Sequence, residues 1–121
     1  MQLASALLYV KDLARLTAFY RELLGAAPVN EAAGWVEFRA GLATLMLHEI
    51  PSAVADQIVI TTPPEPREET PLKLIFAVPD LAAERTRLAA AGIDLVERPG
   101  GSCDGMDPEG NIFTITGSVV G

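Results

Sequence analysis

Cysteine, histidine and basic residues are all scarce in this sequence, and each scarcity closes off a class of chemistry. Cys103 is the only cysteine, which excludes an internal disulfide and any cysteine-cluster metal site, and leaves thiol redox chemistry without a resolving partner. His48 is the only histidine, so no second imidazole is available to activate Cys103 as a nucleophile. Within Gly100-Gly101-Ser102-Cys103-Asp104-Gly105 that cysteine is expected to be a small packed residue. Only 9 Lys and Arg stand against 16 Asp and Glu, a net charge of -7 that repels a phosphate backbone or an anionic membrane, so neither nucleic acid nor membrane is expected as a partner. No apolar run approaches the roughly 20 residues of a membrane helix. The N-terminus shows no basic flank leading into an apolar segment and a cleavage site, and the expected location is cytoplasmic.

What is present is enough for a folded domain. The 121 residues are 50% hydrophobic and 21% charged, which places them among globular chains of one domain. Leu3 to Val10 is an apolar run that ends at Lys11-Asp12, after which Leu13, Leu16, Tyr20 and Leu23 recur at helical spacing. Asp12 suits an N-cap and Gly25 a left-handed C-cap, so a helix is predicted over 13–24. Three short strands are predicted next, at Ala27 to Asn30, Trp35 to Arg39 and Leu42 to His48, separated by Ala33-Gly34 and Ala40-Gly41. Residues 49–71 are rich in proline and charge and are expected to form a surface linker, with Gln57 to Thr61 as a candidate extra strand.

From Leu72 the same order begins again. An apolar strand, Leu72 to Val78, breaks at Pro79-Asp80, a helix follows through Leu81, Arg85, Leu88 and Ala91, and Gly92 closes it. Three more strands are predicted at Asp94 to Glu97, Ser102 to Met106 and Asn111 to Thr116. Val10-Lys11-Asp12-Leu13-Ala14 and Val78-Pro79-Asp80-Leu81-Ala82 agree at four of five positions. The match, together with the repeated order of elements, marks an internal duplication: module one over 1–48, the linker over 49–71 and module two over 72–118 of a single domain.

The two strand-to-helix junctions, Phe19-Tyr20-Arg21 with Leu24-Gly25, and the closing Asp107-Pro108-Glu109-Gly110-Asn111 together resemble the vicinal oxygen chelate superfamily. That superfamily includes glyoxalase I, extradiol dioxygenases, and bleomycin- and fosfomycin-resistance proteins. The resemblance covers nearly the whole chain and implies an α+β fold: paired βαβββ modules whose strands curl into a half-barrel cup. It also implies positions for the ligands of a divalent metal, on the first and fourth strands of each module. Counting seven residues back from Asp12 and Asp80 puts the first-strand positions at Ser5 and Lys73. The fourth-strand positions fall at or beside Met46 and, four residues after Gly110, at Thr114. None is the His, Gln or Glu that the resemblance leads one to expect, so the expected cofactor is none, the alternative being one divalent metal held weakly by His48 and Glu37.

Strand alternation then predicts what lines the cup. Ala6, Leu8 and Val10 suit the helix side, leaving Ser5, Leu7 and Tyr9 for the other face. By the same count Trp35, Glu37 and Arg39 oppose Val36 and Phe38, and Thr44, Met46 and His48 oppose Leu45 and Leu47. In module two Lys73, Ile75 and Ala77 oppose Leu74 and Phe76, and Thr114 and Thr116 complete the set. Trp35 and Tyr9 suit stacking on a planar ligand and Lys73 pairing with an anionic group. The competing assignments are an ion pair with Glu37 or an exposed strand-edge charge for Lys73, core packing or a dimer contact for Trp35, and a partly exposed strand-end position for His48. Asp107 and Asn111 are expected to shape the turn.

Three functions follow. The first is a metal-independent binding protein, similar to bleomycin-resistance members, that holds a small organic molecule in the cup or at a homodimer cleft and whose acidic surface suits a cationic drug. The second is an enzyme of the same superfamily, a lyase, isomerase or dioxygenase, using metal at His48 and Glu37 or acid and base groups among Tyr9, Glu37 and Lys73. The third is a dimeric scaffold without a ligand.

Overall fold

Lys11-Asp12 breaks the chain as its residue types require. β1 (Ser5–Val10) stops there and α1 (Leu13–Leu24) begins, with the Asp12 carboxylate accepting the Arg15 amide at 3.0 Å. Gly25 ends the helix in the left-handed region at φ 64°. Leu16, Tyr20 and Leu23, spaced by four and three, form its buried stripe. The same device recurs where β5 (Leu74–Val78) gives way to α3 (Leu81–Ala90): Asp80 accepts the Ala83 amide at 3.0 Å, and Gly92 follows the helix at φ 81°.

The computed structural model describes residues 1–117, so residue 118, the expected end of module two, lies outside the described residues. The chain divides into two units, Met1–Thr61 and a second from Thr62 onward. In the first, β1 is followed after α1 by β2 (Asn30–Ala32), β3 (Trp35–Ala40) and β4 (Ala43–Glu49), in the sheet order β1-β4-β3-β2. In the second, β5 and α3 are followed by β6 (Val96–Glu97), β7 (Cys103–Met106) and β8 (Ile112–Gly117), in the order β5-β8-β7-β6. First and last strands pair in parallel and the rest antiparallel in both sheets, so each is an open βαβββ module and the chain is α+β.

Each sheet buries one face. In the first unit Val10, Val36, Phe38, Leu45 and Leu47 are buried together with the stripe of α1. In the second, Leu88, Ile93, Cys103, Phe113 and Ile115 are buried, and the Phe76 and Phe113 rings meet edge to face at 6.1 Å. α3 is alanine-rich and buries Leu88 alone, so its module relies more on the sheet's own aromatic side chains. Phe113 occupies the space a side chain at Gly105 would take: a Cβ there would lie 2.4 Å from the ring Cζ.

Two expectations are corrected. The strand predicted at Ala27 to Asn30 forms instead at Asn30–Ala32, because Pro28 has no amide to donate and the turn at Gly34 sets the register of β2 against β3. Gln57 to Thr61 is not a strand; the stretch expected to be linker holds a short helix, α2 (Ser52–Ala55), with Ala55 buried. That stretch is tied back by the Ile50 amide to the Val10 carbonyl at 2.8 Å and by a hydrogen bond from Lys11 Nζ to the Ile58 carbonyl. Beyond it, Arg67 donates from its amide to Gly110 at 2.8 Å and from Nε to the Glu109 carbonyl at 2.9 Å.

Candidate functional site

The open face of the first sheet is built in rows by the strand register. Tyr9, His48 and Trp35 stand side by side across β1, β4 and β3; Leu7, Met46 and Glu37 form the next row; Ser5, Thr44 and Arg39 the third. Seven of the residues expected at the cup, Ser5, Leu7, Tyr9, Trp35, Glu37, Met46 and His48, therefore share one face, opposite the buried one. The His48 ring lies 5.6 Å from Tyr9 and meets Trp35 edge to face at 5.2 Å. Trp35 Nε1 donates to Glu37 Oε1 at 2.8 Å, which fixes the indole and holds one carboxylate oxygen. His48 Nδ1 lies 2.9 Å from the Glu49 carbonyl. A carbonyl only accepts, so the neutral ring carries its proton on Nδ1 and keeps Nε2 as the acceptor. Tyr9 is 65% exposed and Leu7 37%, so this face offers apolar surface to a ligand.

The second sheet places Ile75, Thr114 and Asp104 in one row across β5, β8 and β7. Lys73, just before β5, reaches the same point: its Nζ lies 3.1 Å from both oxygens of Asp104. Thr114 donates to Asp104 Oδ1 at 2.7 Å, and Arg98 Nη1 to Oδ2 at 3.2 Å. Partial burial alone would raise the pKa of Asp104, but the hydrogen bonds from Thr114 and Lys73 and the charges of Lys73 and Arg98 outweigh it and hold the carboxyl below its ordinary value. Lys73 thus pairs within its own module, because Asp104 stands across the sheet from it, and its side chain stays 39% exposed.

Asp104 and Arg98 are the residues that sequence reasoning missed. A signal existed: Cys103 and Gly105 point inward, so alternation turns Asp104 and Met106 to the open face. Arg98 had no comparable signal. The turn through Gly100 and Gly101, both at φ near 90°, returns the chain so that the Arg98 amide bonds the Ser102 carbonyl at 2.8 Å and its side chain meets Asp104. Cys103 is buried, as expected of a packed thiol. Asp107 shapes its turn, accepting the Glu109 amide at 2.9 Å, the Asn111 amide at 3.0 Å and Asn111 Nδ2 at 2.8 Å.

Over the second sheet lies a groove of about 670 Å³. One side is the stretch 66–73, the other includes Val96, Met106 and Ile112, and Lys73, Arg98 and Asp104 all line it. Its size is that of a small-molecule site.

A family described as the glyoxalase-like domain matches residues 5–116. The chain belongs to the glyoxalase-like family. This places it in the vicinal oxygen chelate superfamily, and its paired open βαβββ modules have the glyoxalase/bleomycin resistance fold. No curated protein matches this glyoxalase-like chain in sequence. Among solved structures, a glyoxalase-related enzyme from Fulvimarina pelagi is 26% identical, covering 97% of this chain and 88% of its own, with a TM-score of 0.66. The fosfomycin resistance protein FosX from Listeria monocytogenes is 20% identical over 98% of this chain and 92% of its own, with a TM-score of 0.72. FosX from Mesorhizobium loti is 17% identical over 98% and 93%, with a TM-score of 0.70. At these identities the FosX structures speak for the fold alone. Among the described residues no helix is long and apolar enough to cross a membrane.

The superfamily's metal does not fit the side chains at the corresponding positions. The Lys73 ammonium has no lone pair to offer and is engaged with Asp104, and Thr114 offers only a neutral hydroxyl oxygen, a weak ligand. Ser5 and Met46 offer a neutral hydroxyl and a thioether. For the alternative pair, one Glu37 oxygen is held by the Trp35 indole, and among the described residues no three His, Cys, Asp or Glu side chains gather.

Proposed function

We propose that this glyoxalase-like protein binds a small organic molecule without a metal, and that a planar, cationic ligand lies on the open face of the first module. The observation that carries this reading is the Tyr9–His48–Trp35 row with Glu37 fixed beside it by the indole. Aromatic faces attract a cation through the ring quadrupole, and the free oxygen of Glu37 adds a charge of the right sign. The acidic chain, at -7, favours the same ligand class. A homodimer and a cytoplasmic setting accompany the reading as proposals. Trp35 is the only tryptophan, so its emission reports this face directly. Titration with planar cationic aromatics should shift that emission saturably, and Glu37→Gln should weaken the response several-fold. Indifference to such ligands, or a stoichiometric divalent ion in protein purified without chelator, would sink the proposal.

A second reading, an enzyme of the superfamily working by acid and base groups, draws on the unprotonated Nε2 of neutral His48 and on the likeness to a glyoxalase-related enzyme. Turnover abolished by His48→Gln with binding retained would favour it.

A further inference from the structure

Asp104 is oversupplied with positive charge. Lys73 and Arg98 both bond its carboxylate, Thr114 occupies Oδ1 as well, and two cations on one anion leave the cluster with an excess of one positive charge. The Lys73 and Arg98 side chains are still 39% and 55% exposed, so donors remain on both beyond those given to Asp104. Both line the groove of the second module. Beside them, Leu72, Val96, Met106 and Ile112 supply an apolar lining. Glu68 and Asp94 also line the groove, and Arg67, whose Nε is turned to the Glu109 carbonyl, balances one of them. The other acid offsets the excess over the groove as a whole, so the positive charge is a local one, at the exposed Lys73 and Arg98 donors beside the apolar lining.

We propose that this groove binds a small amphipathic monocarboxylate, its carboxylate bridging Lys73 and Arg98 and its apolar body lying along Val96, Met106 and Ile112. The local charge of the Lys73–Arg98–Asp104 cluster, with its exposed donors, selects the ligand class. A single carboxylate neutralises the cluster, a cation is repelled by it, and a neutral molecule leaves the exposed donors to water. The guanidinium of Arg98 suits the planar carboxylate geometrically, and charge-assisted hydrogen bonds of this kind are the stronger ones. Asp104 orients both cations and at the same time competes with the ligand for them, which gives the proposal its distinctive consequence: removing the Asp104 charge should tighten binding. The site lies in the second module and shares with the first-module proposal only the premise that the chain binds small molecules.

Isothermal titration with 4-phenylbutyrate as probe, beside 4-phenylbutanol and 4-phenylbutylamine at low salt and neutral pH, tests it. The carboxylate should bind about tenfold more tightly than the alcohol and the amine should not bind. Lys73→Met and Arg98→Gln should each weaken the carboxylate about tenfold, whereas Asp104→Asn should strengthen it several-fold. Equal affinity for carboxylate and alcohol, no binding of the carboxylate, or loss of binding in Asp104→Asn with an unchanged circular dichroism spectrum would each overturn the proposal. Should Asp104→Asn misfold, the exposed Arg98→Gln variant still decides, since unchanged affinity there is equally fatal. Trp35 emission, followed in parallel with the cationic aromatics, separates the two sites: loss of that response with carboxylate binding intact refutes only the first-module proposal.

Discussion

Replacing Gly110 by alanine should be among the most damaging single-methyl changes available to this chain. Gly110 has φ 87°, where a residue bearing a Cβ costs about 1–2 kcal/mol. The added Cβ would also lie 2.1 Å from the backbone carbonyl oxygen of Glu65, far inside contact distance, and backbone has no rotamer by which to escape. The stretch 65–67 must then move away, which breaks the Arg67 amide bond to Gly110 at 2.8 Å and the Nε bond to Glu109 at 2.9 Å. Each such bond is worth about 1 kcal/mol net. Together the expected loss is about 3–4 kcal/mol, a large share of the roughly 5–15 kcal/mol that holds a domain folded. Urea unfolding followed by far-ultraviolet circular dichroism measures it; Trp35 belongs to the other unit and is the wrong probe. Gly41→Ala is the matched control, because Gly41 has φ 63° but no atom within 4 Å of an added Cβ. It should show the conformational cost alone. If the two variants lose equal stability, the steric account of Gly110 is wrong.

Three further perturbations test other parts of the structure. The Asp104 carboxyl titrates below its ordinary value in the folded chain, so its contribution to stability is present above the unfolded pKa of about 3.9 and is lost as pH falls through the lower folded value. Stability of the native chain should accordingly exceed that of Asp104→Asn most at neutral pH, with the gap closing below about pH 4; a gap constant across an acid titration of the urea midpoint refutes this. The Thr17 hydroxyl in α1 is buried and has no hydrogen-bond partner among the described residues, so the isosteric Thr17→Val should raise stability by about 0.5–2 kcal/mol, and a lower melting temperature would contradict it. Gly105→Ala would bring a Cβ within 2.4 Å of Phe113 and 2.9 Å of Leu95. It should cost about 1–3 kcal/mol through overpacking, and Phe113→Leu in the same chain should recover part of the loss, so strict additivity in the double-mutant cycle counts against it.

Local signals in the sequence carry far where they act within a few residues. The helix over 13–24 was legible to the residue because Asp12 and Gly25 act through their own backbone and side chain. The assignment of Ser5, Leu7 and Tyr9 to one face, and of Ala6, Leu8 and Val10 to the other, needed only the two-residue period of a strand. β2 was misplaced because its position is set by the Gly34 turn and by pairing with β3, and three residues carry too little pattern to reveal that. α2 was missed for a related reason: a four-residue helix with Pro51 before it has one buried residue, Ala55, and no amphipathic stripe.

The duplication, the caps and the sidedness of each strand are properties of the sequence by itself, since each follows from residue type and spacing along the chain. The tertiary structure decided who meets whom across the sheets. It paired Lys73 with Asp104, brought Arg98 back through a glycine turn to the same carboxylate, and set His48 between Tyr9 and Trp35. Those meetings depend on strand register, and a shift of one residue in pairing exchanges every partner while leaving each strand's own pattern unchanged.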